Sequence, residues 1–311
     1  MCAGSIERFI GTCLGVNLTI VANMHKMMKT RFFLAVSVVL LLTACHSTNT
    51  SETALDSTRM NDEGISVMNE AEGVTLTGIR DMDNTMSVEL FKGSCPDSLL
   101  AVLAPEGSFL SAINVYLAVT SNHRVLFDTG LGVEKGGKML EKLAYLHVRP
   151  EDIDAICLTH LHGDHIGGLL KDGKAVFPRA TIYLSVDEFD AWNDGGSMAA
   201  QNTLWKQVLA AYAYQIQPVN DGDTLLDGLV SVRVTPGHTP GHTLYAVGNC
   251  LIAGDLLHAQ DLQLTYPQYC ARYDNDTAMA ADARRKVMDQ LRGEGRYLSG
   301  AHCYDFWIRL K

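Results

Sequence analysis

The sequence has few basic residues for its length. Its 311 residues include 25 Lys or Arg against 35 Asp or Glu, a formal charge of −10. Residues 1–45 carry four of the basic residues and one of the acidic ones, so residues 46–311 have 21 basic against 34 acidic residues, or −13. A negative surface of this size repels phosphate backbones and anionic lipid, which argues against nucleic acid as a partner.

The sequence also offers little that could cross a bilayer. The apolar stretch Phe32–Leu42 is too short for a membrane span, follows Lys29 and Arg31, and ends in Leu42–Cys45 (LTAC). This arrangement resembles a bacterial lipoprotein signal, in which the cysteine is lipidated and becomes the mature N-terminus. The resemblance implies export and a lipid anchor at a bacterial membrane, in the periplasm or at the cell surface. An ordinary signal peptide or a buried helix is the alternative.

The cysteines lack any spacing typical of a zinc knuckle or a redox pair. After processing at Cys45, an odd number of cysteines remains, so they cannot all pair within the chain. Export permits disulfides, but the composition is that of a globular protein that buries a full core without them. We therefore expect buried free thiols at Cys95, Cys157, Cys250, Cys270 and Cys303.

Four segments follow from this pattern. Residues 1–27 lie upstream of the signal, so we expect translation to start near Met28 and exclude them from the fold. Residues 28–45 form the signal peptide. Residues 46–64, rich in Ser, Thr, Asn and Asp, form a flexible tether, and residues 65–311 form the folded domain.

The domain mixes strands and helices in an order that favours a sheet sandwich flanked by helices over a barrel. A long helix is predicted from a cap at Asn275 or Asp276 to a stop at Gly293, with Met279, Ala283, Val287 and Leu291 on one face. Other helices are predicted at Lys138–Leu146, Val186–Trp192 and Met198–Tyr212. Strands are predicted at Ser87–Phe91, Ala112–Val119, Arg124–Phe127, Asp154–Leu158, Thr181–Leu184, Val230–Val234, Thr243–Val247, Cys250–Ala253 and Tyr297–Ser299.

The densest group of metal-ligand side chains is His160-Leu161-His162-Gly163-Asp164-His165. It follows the predicted strand Asp154–Leu158, so it lies in a loop at the carboxyl end of a strand, where α/β proteins place chemistry. In an extended turn His160 and His162 point the same way, while Asp164 and His165 project toward a second point. One segment can therefore start two adjacent metal sites, each with an open position for water or substrate.

Here the sequence resembles the metallo-β-lactamase superfamily, whose signature is H-x-H-x-D-H. Thr235–His242 (TPGHTPGH) is similar to the family's third-histidine loop, Ala253–Asp255 to its bridging-aspartate loop and Gly300–His302 to its final histidine loop. The resemblance extends from Ala112 to His302 and implies the αββα metallo-β-lactamase sandwich with two metals at one edge between the sheets. Asp128 resembles an early turn aspartate that orients a ligand histidine.

The resemblance also implies which residues hold each metal. Metal one takes His160, His162 and His238; metal two takes Asp164, His165 and His302; and Asp255 bridges them. Of the two histidines in the third loop we favour His238 and leave His242 a supporting role. Two zinc ions suit this donor set, which has no thiolate, though iron, manganese or cobalt also fit.

Two positions refine the expected function. Asp255 stands where the family's true β-lactamases have cysteine or serine, whereas its thioesterases, lactonases and phosphoesterases keep aspartate. His258, three residues later, matches the branch that contains methyl parathion hydrolase, where one branch of homoserine-lactone hydrolases has tyrosine. We predict that His258 acts on substrate and that Asp164, Asp255 and His258 are the catalytic residues; a surface loop histidine is the alternative.

The resemblance implies a dinuclear hydrolase in which a metal-bridging hydroxide attacks the carbonyl of a small ester or lactone, such as an acyl-homoserine lactone or aryl ester. Three alternatives stay open. The same site suits a phosphotriester or phosphodiester hydrolase, or a β-lactamase. The chain could also be a non-catalytic lipoprotein that keeps the metals as a structural clip while it binds a partner.

Overall fold

The computed structural model describes residues 59–69 and 73–311, so the expected signal peptide and all but the end of the expected tether lie outside the described residues. The strands are β1 Ile65–Asn69, β2 Thr75–Ser87, β3 Ser108–Val119, β4 Arg124–Phe127, β5 Ala155–Cys157, β6 Leu170–Lys171, β7 Lys174–Ala175, β8 Thr181–Ser185, β9 Ile216–Val219, β10 Thr224–Leu225, β11 Val230–Val234, β12 Thr243–Val247, β13 Cys250–Gly254, β14 Tyr297–Gly300 and β15 Ile308–Arg309. The α-helices are α1 Asp97–Leu103, α2 Met139–Tyr145, α3 Gly163–Ile166, α4 Val186–Trp192, α5 Thr203–Tyr212, α6 Gln260–Gln263 and α7 Thr277–Glu294.

Two sheets dominate the fold. The first has the order β1-β2-β3-β4-β5-β8-β9, antiparallel as far as β4 and parallel from β4 to β9. The second has the order β10 to β15, antiparallel except where β13 runs parallel to β14. A short hairpin of β6 and β7 stands apart from both.

Three of the four buried apolar clusters form the layers of the sandwich. Between the sheets, Tyr116 and Phe127 of the first sheet share one buried cluster with Val232, Tyr245 and Ile252 of the second. On the outer side of the first sheet, α2 and α5 contribute to a further cluster, and on the outer side of the second, α7 does the same. Because each sheet is covered by the other on one face and by helices on the opposite face, the predicted αββα sandwich is confirmed.

Several predictions of secondary structure and burial are confirmed. The predicted bounds of β4, α4, β11 and β12 are those of the structure. Cys95, Cys157, Cys250, Cys270 and Cys303 are buried, as expected, and no disulfide joins them within the part of the chain that the structure describes. No helix within residues 59–69 and 73–311 combines the length and the apolar character that a bilayer crossing requires.

Three local predictions were wrong. Ser87–Phe91 is not a strand, because β2 ends at Ser87, whose side chain accepts a hydrogen bond from the Glu89 amide and starts a 3-10 helix over Val88–Leu90. The last helix does not stop at Gly293 but runs to Glu294 and is capped by Gly295 at φ +65°. Its predicted apolar face is also shifted, since Met279 is 45% exposed, whereas Ala280, Arg284, Val287, Met288 and Leu291 are buried.

Candidate metal centre and active site

Three histidines converge at the carboxyl edge of the sheets. His160 and His162 follow β5, and His238 follows β11. Nε2 of His160 lies 2.9 Å from Nδ1 of His162 and 3.2 Å from Nε2 of His238, and the last two atoms are 3.0 Å apart. Three imidazole nitrogens thus face one another at one point, the arrangement predicted for metal one.

Burial keeps these imidazoles neutral. It lowers the pKa of His162 and of His238 to about 4, and the pKa of His160 lies well below its ordinary value for the same reason. The Nδ1–H of His238 donates to Asp274 Oδ1 at 3.1 Å, which turns the Nε2 lone pair toward the other two rings. Lone pairs of neutral rings repel one another unless a cation lies between them, so this donor set fits a metal.

A second group comprises Asp164, His165 and His302, whose ligand atoms lie within 4.8 Å of one another. His165 donates from Nδ1 to Asp128 Oδ2 at 2.8 Å, and His302 donates from Nδ1 to the Ala112 carbonyl at 2.8 Å. Both rings therefore turn Nε2 into the space that they share with Asp164, where a metal would take the place of the Nε2 proton. Nε2 of His302 is 3.5 Å from Asp164 Oδ2, and Nε2 of His165 is 3.9 Å from Asp164 Oδ1.

Asp255 lies between the two groups at the end of β13. Its Oδ2 is 3.3 Å from His238 Nε2 and 3.2 Å from His302 Nε2, and its Oδ1 is 3.0 Å from His165 Nε2. Despite that distance, neither Asp255 Oδ1 nor His165 Nε2 has a hydrogen-bond partner. Two buried polar atoms with no partner are costly, so both are aimed at a common point that a second cation would fill.

The pKa shifts differ between the first and the second ligand group. Burial acts to raise the pKa of Asp255, but the surrounding imidazoles, with His302 and His165 foremost, outweigh it and hold that pKa well below the usual range. Burial likewise acts to lower the pKa of His302, but the Asp255 carboxylate outweighs it and raises the pKa to about 9. The second half of the site thus attracts positive charge strongly, whether a proton or a metal ion.

The other histidine of the third loop stays outside both groups. Nε2 of His242 accepts a hydrogen bond from the Asp255 amide at 3.1 Å, and burial lowers the pKa of His242 to about 3. The adjacent Gly254 has φ +47°, and a Cβ there would lie 2.8 Å from that nitrogen and 2.7 Å from Thr159 Oγ1. His242 therefore supports the backbone of Asp255, in the loop where the structure brings His238 to the site.

Asp128 lies behind the second group, as the sequence suggested. Its backbone has φ +60°, and its carboxylate accepts hydrogen bonds from the amide and hydroxyl of Thr159, both at 2.8 Å, as well as from His165. It orients His165 and is not itself a member of either ligand group.

His258 is fully buried, so the alternative of a surface loop histidine does not hold. Its Nε2 lies 3.4 Å from Asp255 Oδ2 and its Nδ1 lies 3.9 Å from Asp274 Oδ1, yet neither nitrogen forms a hydrogen bond. Its ring stacks on His302 with 5.9 Å between centroids. His258 therefore reaches the site through Asp255 and His302, and its action on substrate stays a prediction.

A cavity of about 610 Å³ opens over both groups. One wall comes from the end of β2 and from the 3-10 helix that follows, and the sequence analysis wrongly predicted a strand at this helix. Gln201 and Tyr273 complete the rim. The lining residues are Asn84, Thr85, Met86, Ser87, Glu89, Leu90, His162, Gly163, Asp164, Gln201, His238, Asp255, Tyr273 and His302.

Two further buried carboxylates were not found from the sequence. Asp274 pairs with His238 on one side and with Arg284 on the other, at 3.2 Å. Glu188 accepts hydrogen bonds from both loops that supply metal one. Each is a single acidic residue in a helix or beside one, and no motif distinguishes it from the exposed carboxylates around it.

Comparison with known proteins agrees with this geometry. The hydrolase AbOPH of the beta lactamase superfamily is 28% identical, with a TM-score of 0.71 over 79% of this chain and 92% of that one. AidC, a dizinc quorum-quenching lactonase solved with a product, shares the fold at 24% identity, with a TM-score of 0.70 over the same shares of the two chains.

Curated relatives match over a shorter stretch. The hydroxyacylglutathione hydrolase of Aeromonas salmonicida is 31% identical over 145 residues, 46% of each chain. The chain spans less than half the length of the curated relatives that it matches first. A family model described as "Metallo-beta-lactamase superfamily" matches residues 109–307, which include every strand and loop that carries the two ligand groups. The chain belongs to the metallo-beta-lactamase superfamily.

Proposed function

We propose that the protein is a hydrolase that holds two zinc ions and cleaves small uncharged esters or lactones. His160, His162 and His238 would hold one ion, Asp164, His165 and His302 the other, and Asp255 would contact both. Bound zinc lowers the pKa of water and polarises a carbonyl oxygen, so no protein nucleophile is needed. Five imidazoles and two carboxylates suit zinc, and AidC is described as a dizinc enzyme.

The cavity lining carries the argument for an uncharged substrate. None of its residues is a lysine or arginine, whereas Glu89, Asp164 and Asp255 are acidic. Lys135, whose ammonium group approaches Gly163, is exposed and does not line the cavity. A substrate with its own carboxylate or phosphate would meet no cationic side chain there.

The charge of the substrate separates the alternative hydrolase activities. Penicillin-type β-lactams carry a carboxylate and phosphodiesters carry a phosphate charge, so apart from the metals themselves neither anion would find a cationic partner in this lining. A phosphotriester is uncharged and is the second candidate that the same observation favours. A structural clip is disfavoured because the ligand groups open onto a cavity large enough for a small molecule.

A matched substrate panel tests the proposal. The metal-loaded protein would be assayed with an acyl-homoserine lactone, an aryl ester, a phosphotriester, a phosphodiester and a penicillin, with Asp255→Asn as the inactive control. We expect kcat/KM for an uncharged ester or lactone to exceed that for either anion by at least ~100-fold. A preference for the penicillin or the phosphodiester would overturn the proposal, and a preference for the phosphotriester would select the second candidate.

Lys135 provides an independent control on charge. Because it lies outside the lining, Lys135→Glu should leave kcat/KM for the uncharged substrate within about twofold of the unchanged protein. A large loss would mean that a cation at the rim takes part in recognition.

We also propose that the protein works outside the cytoplasm, anchored by lipid at Cys45. The support is the lipobox-like Leu42–Cys45 after a short basic and apolar segment. A small exported or environmental ester would meet the enzyme there.

A further inference from the structure

Glu188 is a buried carboxylate in the first turn of α4. It is 0% exposed, although it belongs to a residue type that is almost never fully buried without partners. Its Oε1 accepts a hydrogen bond from the Leu161 amide at 3.1 Å. Its Oε2 accepts one from the Thr239 hydroxyl at 2.7 Å and one from the Gly241 amide at 2.9 Å.

The groups that donate to Glu188 are next to metal ligands in the sequence. Leu161 stands between His160 and His162, and Thr239 follows His238. The two loops are far apart along the chain and come from different sheets. One carboxylate therefore connects the backbone of the first loop to the second loop, behind the three imidazoles of metal one.

We propose that Glu188 is a positioning residue for metal one, which sets the distance between the His160–His162 loop and the His238 loop. It touches neither metal nor substrate and acts through the backbone of Leu161 and the side chain of Thr239. The second group, Asp164, His165 and His302, makes no hydrogen bond to it among the described contacts. The ligands of metal one are next to these donors in the sequence, whereas Asp164 and His165 lie farther along the first loop. The effect of Glu188 should therefore be larger on metal one than on metal two.

The packing around Glu188 leaves little freedom for the two loops to adjust. Ser185, the N-cap of α4, accepts from the Glu188 amide at 3.1 Å and donates to the Gly241 carbonyl at 2.7 Å. A Cβ on Gly241 would lie 2.0 Å from the Glu188 nitrogen. The His238 loop is thus pressed directly onto the start of α4, and a changed side chain at 188 cannot be accommodated by a small shift of that loop.

The electrostatic cost supports a role beyond filling space. Burial raises the pKa of Glu188 to about 7, against the hydrogen bonds from Thr239, Gly241 and Leu161, which lower it. A residue that only filled the volume would be better as a neutral side chain. The carboxylate is useful because it accepts from two loops at once, with both oxygens used.

Glu188→Gln tests the proposal with almost no change in volume. The glutamine oxygen can still accept from Thr239 and Gly241, but its amide then points N–H groups at the Leu161 N–H. The two donors repel, which displaces the loop that carries His160 and His162. Asp187→Asn is the matched control, because Asp187 is the exposed neighbour on the same helix.

The measurement is zinc affinity by chelator competition, with both binding steps resolved and no activity assay needed. We expect Glu188→Gln to weaken one of the two sites by ~10- to 100-fold while the other stays within about twofold, and Asp187→Asn to match the unchanged protein. Cobalt-substituted protein would show the altered site as a changed visible spectrum.

Thr239 supplies a second, milder test in case Glu188→Gln does not fold. Thr239→Val removes the hydroxyl that donates to Oε2 and should weaken the same site, whereas Thr239→Ser keeps the hydroxyl and should retain the affinity. Equal weakening of both sites, or no weakening of either, would overturn the proposal.

The inference rests on the proposed metal sites but not on the substrate. If the unchanged protein bound no metal, the proposed function itself would fail. If it bound two and all these variants bound two with the same affinities, only the role of Glu188 would fail.

Discussion

Replacing Asp128 with asparagine should weaken the second metal site while leaving the fold in place. Asp128 is 3% exposed and accepts the Nδ1–H of His165, which leaves Nε2 of that ring as a lone pair. An asparagine that keeps the bond from the Thr159 amide turns its NH₂ group toward His165. The ring must then carry its proton on Nε2 to accept that bond, and Nε2 is the atom predicted to bind metal.

The expected losses of stability and of metal affinity follow from the hydrogen bonds that Asp128 accepts. Charge-assisted hydrogen bonds become neutral ones, which costs about 1–2 kcal/mol of folding free energy and, for a domain of this size, about 2–8 °C in Tm. The wrong tautomer costs more at the metal, where loss of such support lowers affinity by ~10- to 100-fold. Asparagine suits the backbone, because it tolerates the left-handed φ of +60° nearly as well as aspartate.

The assay combines chelator competition with thermal unfolding of the metal-free protein. Asp227→Asn is the control, since Asp227 also has a positive φ, of +57°, and its side chain is 88% exposed. We expect the control to be unchanged and Asp128→Asn to bind one of the two metals ~10- to 100-fold more weakly, with a Tm lower by about 2–8 °C. Two metals bound with unchanged affinity in Asp128→Asn would refute the argument that Asp128 sets the tautomer of His165.

Three other predictions concern a histidine, the anchor and pH. His258→Ala should keep the metal content near that of the unchanged protein and lower kcat/KM by ~10- to 100-fold. Loss of metal would instead show that His258 supports the metal ligands. Unchanged kinetics would leave it without a catalytic role. Cys45→Ser should move the protein from the membrane to the soluble fraction or block its maturation, whereas an unchanged protein that is already soluble and keeps residues 1–44 would contradict the anchor. Metal-free protein should be most stable near pH 6.5. The raised pKa of His302 adds to the free energy of unfolding fully below that pH, and this contribution is lost as pH rises through about 9. The lowered pKa values of His162 and His238, about 4, reduce the free energy of unfolding as pH falls below 6.5. Thermal unfolding with chelator across this range checks the last prediction, which a rise in Tm from pH 6.5 to 9 would contradict.

The ligand residues could be predicted because they lie in short segments that follow strands. His160 to His165 are six consecutive residues that begin three positions after the end of β5, and Asp255 follows β13 directly. The positions of such residues follow from the local sequence, because the strand sets the direction in which the chain leaves the sheet and a short loop has few conformations. The structure brings all seven predicted ligands together, although their binding of metal stays a prediction.

The wall of the cavity could not be predicted in the same way. Ser87–Phe91 has the apolar character of a strand, but Ser87 caps a 3-10 helix, and Ser87, Glu89 and Leu90 line the cavity as a result. Glu188 and Asp274 were missed for a related reason. Their roles depend on partners more than 25 positions away, such as Leu161 and His238, and a single carboxylate carries no sign of such a partner.

The end of the last helix could not be placed from the local sequence alone. Gly293 and Gly295 are both plausible stops, and the sequence gives no reason to pass the first. The buried Arg284 anchors this helix by donating to the carbonyls of Leu256, Pro267 and Tyr269. The helix continues through Gly293 and ends at Gly295, whose φ of +65° lies in the left-handed region.

The orienting partners of the ligand histidines connect the metal centre to the rest of the fold. His165 is held by Asp128 at the end of β4, His238 by Asp274 just before α7, and His302 by the carbonyl of Ala112 in β3. These partners come from both halves of the sandwich, so the ligand atoms can converge only after the two sheets and α7 have packed. Metal binding should therefore stabilise the folded state by an amount that rises with the logarithm of the free metal concentration over its dissociation constant, without being needed to create the core. That separates a catalytic centre from a structural clip: chelated protein should stay folded with a lower Tm, whereas a clip would leave the chain unfolded.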